Sequence, residues 1–277
     1  VIVYYGILWY IMENNLIFVK LGGSLITEKS VPATLKYSIL KRIVKELKEV
    51  VDRERDLNLL IGHGGGSFPH PIAKAFRTAE GFIQADSVRG FAMCQNAAST
   101  LNRVVVDLMT DYGINAVSIQ PSACCIAEDG EIVDFFIRPI EECMSKGLIP
   151  VVFGDCVFDA AKGCTIISTE QIFTYLSGFL RPSRVLIFGL VDGVYTSDPQ
   201  RDDSASLLPK IEIEKYTSVE SYIGSSYSVD VTGGMRTKVK DLIKIAKMGI
   251  ECEILSGKSG NILRALAGER GLGTIIE

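Results

Sequence analysis

The stretch that decides the fold is Leu16-Ile-Phe-Val-Lys-Leu-Gly-Gly-Ser24, an apolar run that ends in two glycines and a serine. A short apolar run of this kind predicts a buried strand, and the glycines mark the turn that follows it. The pattern returns at 57–66, where an apolar run leads into Gly62-His-Gly-Gly-Gly66, and at 148–155, where one leads into Gly154-Asp155. We therefore expect several strands with glycine-rich turns at their carboxyl ends.

Helical patterns alternate with these strands. Apolar residues recur at the helical period at 37–53, 97–112, 139–146, 169–180, 233–248 and 261–267. Further strands are predicted at 115–119, 184–188 and 251–255, with a hairpin at Asp129-Gly130 and a turn at 159–163. This alternation predicts an α/β fold, a three-layer αβα sandwich around a mostly parallel open sheet.

Two lobes are expected, 12–165 and 166–277, with a boundary near residue 165. The chain begins with an apolar run of 12 residues, Val1–Met12, which is too short to span a bilayer. This run also lacks the leading basic region of a signal peptide. We interpret residues 1–11 as a non-native upstream extension before a start at Met12; the alternative is a short membrane anchor.

Composition excludes several classes of protein. The 277 residues include 29 Lys and Arg against 33 Asp and Glu, a net charge of −4, whereas nucleic-acid-binding proteins usually carry a basic surplus. The seven cysteines are irregularly spaced and form no Cys-x-x-Cys pair, which argues against a disulfide framework or a zinc site. Buried thiols in a reducing cytosol are the simpler interpretation, so we expect a cytoplasmic protein.

Four glycine-rich turns are predicted at one edge of the sheet: Gly22-Gly23-Ser24, Gly62–Ser67, Gly154-Asp155 and Thr232-Gly233-Gly234. Ligands of open parallel sheets bind beyond the carboxyl ends of the strands. Glycines there let backbone N–H groups approach a phosphate closely. Any one of these turns could simply end a strand or a helix, but four together favour a site that holds several phosphates.

Two familiar nucleotide fingerprints do not fit this sequence. A Rossmann pattern that begins at Gly64 would need a glycine at Pro69, and one that begins at Gly62 would need a glycine at Ser67. The segment Gly257-Lys258-Ser259 resembles the end of a P-loop, but the position of its first glycine holds Cys252. A nicotinamide enzyme and a Walker-type ATPase are both disfavoured.

His70 is the leading single candidate, because it stands between two prolines beside a glycine-rich loop and at the start of a predicted helix. Its imidazole could donate to a phosphate oxygen; the alternative is that it caps its own helix. Lys20 lies inside an apolar strand and needs an anionic partner, for which a phosphate would serve. Lys238 is a further candidate with a surface role as the alternative, and His63 is expected to support the loop internally.

Six segments together carry a resemblance to a known family: Lys20-Leu-Gly-Gly-Ser24, His63-Gly-Gly-Gly-Ser-Phe-Pro-His-Pro71, Val117-Ser-Ile-Gln-Pro-Ser122, Gly154-Asp155, Val191-Asp-Gly-Val-Tyr195, and Asp230-Val-Thr-Gly-Gly-Met235 with Lys238. They resemble the amino acid kinase superfamily and, most closely, the isopentenyl phosphate kinases of archaeal type. The resemblance runs from Leu16 to Ile276.

The resemblance implies a role for each matching residue. The implied ATP-binding residues are Lys20, Gly22, Gly23, Ser24, Gly66, Gly234 and Lys238. The implied contacts to the acceptor phosphate are Gly65, His70 and Gly154. Lys20, Lys29 and His70 are implied to take part in catalysis, Lys29 by reaching the transferred phosphoryl group. Glu170 matches an aspartate that orients the lysines.

The implied activity is the ATP-dependent phosphorylation of isopentenyl phosphate to isopentenyl diphosphate, a step of isoprenoid synthesis in the alternative mevalonate pathway. The resemblance also implies Mg²⁺ with the ATP, a homodimer, and an acceptor-binding N-terminal and nucleotide-binding C-terminal lobe. No protein metal ligand, nucleic-acid partner or membrane partner is expected. Apolar residues after His70 could line a pocket for the isoprenoid tail, with core packing as the alternative: Phe76, Phe82, Phe91 and Met93.

Three positions depart from the family pattern. Pro69 stands where a glycine is usual and removes one N–H from the loop. Glu170 replaces the aspartate of a Ser-Gly-Asp motif, and Gly189-Leu190 replaces a Thr-Asp pair. Two other functions therefore stay open: a kinase for a different small phosphate or phosphonate, such as fosfomycin or UMP, and a non-catalytic nucleotide-binding regulator.

Overall fold

A computed structural model describes residues 15–197, 199, 202–223 and 234–277, with only the backbone described at 221–223. The predicted upstream extension at 1–11, the proposed start at Met12 and residues 230–233 of the Asp230–Met235 motif lie outside the described residues. Within the described part, no helix is long and apolar enough to span a membrane.

The described strands and helices alternate for most of the chain. The strands are β1 (Leu16–Leu21), β2 (Asn58–His63), β3 (Ala116–Ser118), β4 (Cys125–Glu128), β5 (Glu131–Phe135), β6 (Ile149–Phe153), β7 (Asp155–Asp159), β8 (Gly163–Ile167), β9 (Arg184–Gly189), β10 (Lys210–Ile211), β11 (Glu251–Ser256) and β12 (Thr274–Ile276). The helices are α1 (Gly23–Ile26), α2 (Tyr37–Arg53), α3 (His70–Ala75), α4 (Ser87–Asp111), α5 (Arg138–Ser145), α6 (Thr169–Leu180), α7 (Tyr216–Ile223), α8 (Gly234–Ala246) and α9 (Asn261–Leu266).

The main sheet has eight strands in the order β10-β12-β11-β9-β1-β2-β6-β3. All neighbouring pairs are parallel except β11 and β12, which confirms the predicted mostly parallel sheet. The strands that precede the expected lobe boundary form one half of the sheet, and the strands that follow it form the other half. Residue 165 itself lies within β8, so the division into two lobes stays a prediction.

Alternate residues of β1 supply two separate cores, one on each face of the sheet. Ile17, Val19 and Leu21 pack with α2 and α4 on one face. Phe18 packs on the other face, where its ring lies 5.0 Å from that of Phe173 in α6. This arrangement follows from the period-2 geometry of a strand and yields the predicted three layers.

A second sheet of four strands, in the order β5-β4-β7-β8, extends from the end of β6. Its β4–β5 hairpin turns at Asp129-Gly130, as predicted. The buried carboxylate of Asp159 accepts hydrogen bonds from the N–H groups of Asp129, Gly130, Ala161 and Lys162 at 2.8–3.1 Å. These bonds hold two turns together at the end of the sheet far from β6.

The structure differs from the sequence-based expectations at several places, and α7, β10 and β12 were not predicted at all. Helix α4 begins at Ser87, ten residues before the predicted start. The prediction missed this start because Gly90 interrupts the apolar pattern. In the fold Gly90 leaves room for Phe76, since a Cβ on Gly90 would lie 2.3 Å from the Phe76 Cβ. The turn at 159–163 joins two strands, β7 and β8, that were not predicted. Gly23 and Ser24 begin the short helix α1 instead of forming a plain turn.

Candidate active site

The glycine-rich segments that follow β1 and β2 pack directly against each other. A Cβ on Gly23 would lie 2.4 Å from the Gly66 nitrogen, and a Cβ on Gly64 would lie 2.7 Å from the Gly23 nitrogen. These distances leave no room for a side chain, so the two backbones can approach only because glycine occupies these positions. The predicted convergence of the first two glycine turns is thus confirmed.

Thr27 connects the two segments through its hydroxyl group. Thr27 Oγ1 donates to the Gly23 carbonyl oxygen at 2.7 Å and accepts from the Ser67 N–H at 3.0 Å. Gly66 lies above this contact with a φ of +55°. A side chain at Gly66 would therefore be strained in its backbone conformation and would also overlap Thr27 Oγ1, which is 2.0 Å from the Cβ position.

Replacing Gly66 with alanine is expected to lower the free energy of unfolding by about 2 kcal/mol or more, because backbone strain and the Thr27 overlap add. Urea denaturation measures the change. Gly147→Ala is the matched control, since Gly147 has a φ of +70° but nothing within 4 Å of its Cβ position; it should cost about 1 kcal/mol. Equal losses in the two variants would contradict the proposed packing of the glycine segments.

Lys29 lies on an exposed loop that is attached to the same glycine segment. Residues 27–35 form a narrow turn in which Thr27 bridges Leu35 and the Glu28 N–H donates to the Thr34 carbonyl oxygen at 2.8 Å. The Ala33 N–H donates to the Ser67 carbonyl oxygen at 2.9 Å. The loop that carries Lys29 is therefore anchored beside Gly66, and the role of Lys29 stays a prediction.

Lys20 forms a buried ion pair with Glu170, the second residue of α6. Lys20 points to the same face of the sheet as Phe18, and Phe18 contacts Phe173, which is one turn after Glu170 in α6. The two residues are only 4% and 3% exposed. The anionic partner that a buried strand lysine requires is thus supplied by the protein itself.

Glu170 also interacts electrostatically with Lys238, which lies in the second turn of α8. Burial by itself would raise the pKa of Glu170, but the charges of Lys20 and Lys238 and the hydrogen bond from Lys20 lower it overall. Its Oε1 atom is buried without a hydrogen-bond partner. Glu170 is therefore a buried anion between the two lysines that the resemblance assigns to ATP.

Gly22, Ser24 and Gly234 are the remaining predicted nucleotide contacts. The Gly22 N–H donates to the Phe188 carbonyl oxygen at 2.8 Å at the end of β9. The Ser24 carbonyl oxygen accepts from Lys36 Nζ at 3.0 Å. Gly234 begins α8 with a φ of +68°. Gly22 and Ser24 thus lie where β1 meets β9, at the carboxyl ends of both strands.

His63 supports the glycine-rich loop from inside the protein, as expected. Its Nδ1 lies 3.2 Å from the Gly64 carbonyl oxygen and its Nε2 lies 3.1 Å from Asn102 Nδ2. These contacts fit a neutral ring that donates from Nδ1 and accepts at Nε2. Burial first, and then the charge of Lys20, lower the pKa of His63 to about 4 despite the bond to Gly64. His63 therefore stays uncharged near neutral pH.

His70 is the first residue of α3, directly after Pro69, which occupies the N-cap position. The helix has only six residues, so the dipole at its N-terminus is weak. Pro69 also limits Gly65, because a Cβ on Gly65 would lie 2.3 Å from the Pro69 Cγ. The ring of Pro69 thus takes up the space beside the loop that a larger residue at position 65 would need.

Gly154 connects the end of β6 to this loop. Its N–H donates to the His63 carbonyl oxygen at 3.1 Å, and the same oxygen accepts from Thr169 Oγ1 at 2.7 Å. The third predicted glycine turn therefore adjoins the second. Sequence reasoning missed Thr27, Asn102 and Thr169, because single hydroxyl and amide residues carry no recognisable pattern until the fold brings their partners near.

An aromatic cluster of Phe82, Phe91 and Phe158 lies on the side of α4 that faces β7. The ring centroids of Phe91 and Phe158 are 5.0 Å apart, and those of Phe82 and Phe91 are 6.0 Å apart. Phe158 and Phe82 are 50% and 38% exposed, so the cluster presents an apolar surface, and the predicted tail-lining residue Met93 is 39% exposed. Phe158 was not among the predicted tail-lining residues, and Phe76 packs against Gly90 instead of joining the cluster.

Comparisons with known proteins identify the family. The amino acid kinase family matches residues 15–256. The isopentenyl phosphate kinase of Methanothermobacter thermautotrophicus is 38% identical over 94% of this chain and 98% of its own length, and that of Methanocaldococcus jannaschii is 34% identical over 92% and 96%. A solved isopentenyl phosphate kinase structure, 36% identical, superposes with a TM-score of 0.81 over 95% of this chain and all of its own. The chain therefore belongs to the amino acid kinase family and, within it, to the group of the isopentenyl phosphate kinases.

Proposed function

We propose that this protein transfers the γ-phosphoryl group of ATP to isopentenyl phosphate and so forms isopentenyl diphosphate and ADP. The observation that carries the proposal is the contact of the Gly23 and Gly66 backbones beside the buried Lys20–Glu170 pair. Backbone N–H groups and a lysine at the carboxyl ends of adjacent parallel strands are suited to two phosphate chains that meet end to end.

The reaction needs alignment and charge neutralisation more than proton transfer. A phosphate monoester has a second pKa of about 6, so the acceptor is largely a dianion near neutral pH and requires no general base. One of its oxygens forms a bond to the γ-phosphorus of ATP while the bond to the bridging oxygen breaks, and the electron pair leaves with ADP. Positioned cations and N–H groups lower the barrier to such a transfer.

In this proposal the predicted residues divide into groups with different roles. Lys20 and Lys238 neutralise the ATP phosphates, with Glu170 holding both ammonium groups in place. Lys29 contacts the transferred phosphoryl group from its anchored loop. Gly65, His70 and Gly154 bind the acceptor phosphate, and Gly66 separates acceptor from donor.

Mg²⁺ fits this site as an ion carried by the nucleotide. Within the described residues, no group of three or more His, Cys, Asp or Glu could hold a metal by itself. Mg²⁺ bound with nucleotides commonly takes most of its ligands from phosphate oxygens and water. When bound, it would neutralise charge on the transferred group.

The aromatic cluster suits the apolar tail of the acceptor. Phe91 packs against a small core of Ala73, Cys94 and Cys156, and Ala73 belongs to the helix that begins at His70. A phosphate bound by His70 would therefore lie at the start of the helix against which the aromatic cluster packs. The exposed side of Phe158 offers the tail area to cover, and burial of apolar area contributes about 25 cal/mol per Å².

An ADP-release assay with a panel of acceptors tests the proposal. Isopentenyl phosphate should give the highest rate, followed by dimethylallyl phosphate, while fosfomycin and UMP at equal concentration should give far less ADP. A higher rate with fosfomycin or UMP would favour the related-kinase alternative. ATP binding by calorimetry without turnover of any acceptor would favour the regulator.

We further propose that the enzyme works in the cytoplasm as a homodimer. All seven cysteines are free thiols, which supports a cytoplasmic site of action. A homodimer and a place in the alternative mevalonate pathway rest on the resemblance alone. Light scattering on the purified chain would test the dimer.

A further inference from the structure

Asp155 is a buried carboxylate at the point where the main sheet passes into the second sheet. It is the first residue of β7, directly after Gly154, and is 2% exposed. Its Oδ1 accepts from the Cys156 N–H at 2.9 Å, and its Oδ2 accepts from the Ser122 N–H at 3.0 Å. One side chain thus joins the loops that follow the neighbouring strands β6 and β3.

The Ser122 loop is a single turn of 3₁₀ helix, Pro121–Ala123, at the carboxyl edge of the sheet. Ser122 Oγ accepts from Gln120 Nε2 at 3.0 Å. Gly154, on the other side of Asp155, donates its N–H to the His63 carbonyl oxygen. The Gly154–Asp155 segment is therefore held at both ends, by His63 and by Ser122.

We propose that Asp155 is a positioning residue for the acceptor phosphate. Its hydrogen bonds from the Cys156 and Ser122 N–H groups fix the start of β7, directly after Gly154, relative to the Pro121–Ala123 turn. This inference rests on the proposed function, because it takes Gly154 as an acceptor contact. Asp155 itself does not touch the reacting atoms.

The charge state of Asp155 makes its role testable by pH. Burial raises the pKa of Asp155 to about 6, against the opposing hydrogen bonds from Ser122 and Cys156. The titratable groups that face it are the thiols of Cys124, Cys125 and Cys156. Burial raises the pKa of Cys124 and of Cys125 to about 12, and a hydrogen bond with Cys94 raises that of Cys156, so these thiols stay neutral from pH 5 to 8.

Above pH 6 both carboxylate oxygens of Asp155 accept hydrogen bonds. Below pH 6 one of these oxygens carries a proton, and as a hydroxyl group it accepts a hydrogen bond from an N–H group less well. An asparagine has one acceptor oxygen at all pH values. We expect Asp155→Asn to raise the KM for isopentenyl phosphate roughly tenfold above pH 7, since one charge-assisted bond is lost, and to leave the KM for ATP unchanged. The ratio of variant to wild-type KM should fall towards one near pH 5, and the titration of the acceptor cancels in this ratio.

As pH rises, the stability of Asp155→Asn relative to the wild type should improve, while its acceptor KM relative to the wild type becomes worse. The pKa of Asp155 in the folded protein lies above its ordinary value of 3.8, so the wild type loses stability as pH rises through 6. The melting temperature of Asp155→Asn relative to the wild type should therefore rise between pH 4 and 7, while its acceptor KM becomes relatively worse. A purely structural role would make both quantities worse together.

Asp159→Asn is the matched control, because Asp159 lies at the far end of the same strand and also accepts backbone N–H groups. It should lower stability and leave both KM values at wild-type level. An unchanged acceptor KM in Asp155→Asn, or an equal change in Asp159→Asn, would overturn the inference. If the wild type does not use isopentenyl phosphate, the proposed function fails, and hydrogen exchange at the Ser122 amide decides: faster exchange in Asp155→Asn at pH 7 supports the positioning role, and unchanged exchange overturns it.

Discussion

His70→Ala is expected to lower kcat/KM for isopentenyl phosphate roughly 100- to 1000-fold, the loss typical when one positioned donor to a reacting oxygen is removed. His70 starts the helix that follows the glycine-rich loop, and the proposed function assigns it to the acceptor phosphate. The KM for ATP should therefore change little. Steady-state ADP release with each substrate varied in turn separates the two effects.

Two further variants sharpen this test. His70→Asn keeps a side-chain donor and should recover part of the activity, whereas Lys74→Ala, an exposed change in the same helix, should behave as the wild type. If His70 only stabilises its own helix, His70→Ala will lose stability without a selective rise in the acceptor KM. Full activity in His70→Ala would show that the acceptor phosphate is bound elsewhere.

Glu170→Gln is expected to lower the free energy of unfolding by about 3 kcal/mol and kcat by roughly 100-fold. Loss of one partner from a buried ion pair costs about 3–5 kcal/mol, because the other charge stays buried. Lys20 would keep its position in β1 but lose the carboxylate that orients its ammonium group. A displacement of about 1 Å at a catalytic group can cost about 100-fold in rate.

The pH dependence of this loss follows from the direction of the pKa shift. The pKa of Glu170 lies below its ordinary value, so the ionised carboxylate stabilises the fold above about pH 5, by the usual glutamate pKa, and this contribution disappears as pH falls. The stability gap between wild type and Glu170→Gln should therefore narrow in acid, as urea denaturation at several pH values would show.

Two controls separate charge from shape at this position. Glu170→Asp keeps the charge and restores the residue usual in the family, so it should retain more activity than Glu170→Gln. Glu141→Gln makes the same change at an equally buried glutamate whose pKa is raised by burial, and it should leave activity intact. Wild-type activity in Glu170→Gln would contradict the orienting role.

Local pattern was enough to predict most of the elements that carry the site. Helices α2 and α6 have the predicted bounds, because their apolar residues recur without interruption. The start of helix α4 was predicted ten residues too late, because Gly90 weakens the local pattern, while in the fold Gly90 lets Phe76 approach. The contact between Phe76 and Gly90, which are 14 positions apart, cannot be predicted from the 3.6-residue period of a helix.

Some residues of the candidate site could likewise be identified from the sequence, and others could not. Lys20, His70 and the glycine-rich turns could be chosen from the sequence, since buried lysine, paired prolines and clustered glycines each break an ordinary pattern. Asp155 and Thr27 could not be chosen as functional residues. Their importance lies in hydrogen bonds to Ser122 and Ser67, residues 33 and 40 positions away along the chain.

The sequence by itself determined the layered α/β architecture and predicted the edge of the sheet where phosphates bind, because strand period, glycine placement and charge are local properties. Only the tertiary structure decided that Lys20 faces Glu170 and that His63 is neutral. Both depend on which helix covers which face of β1 and β2, and that choice is made by packing between segments up to 150 residues apart.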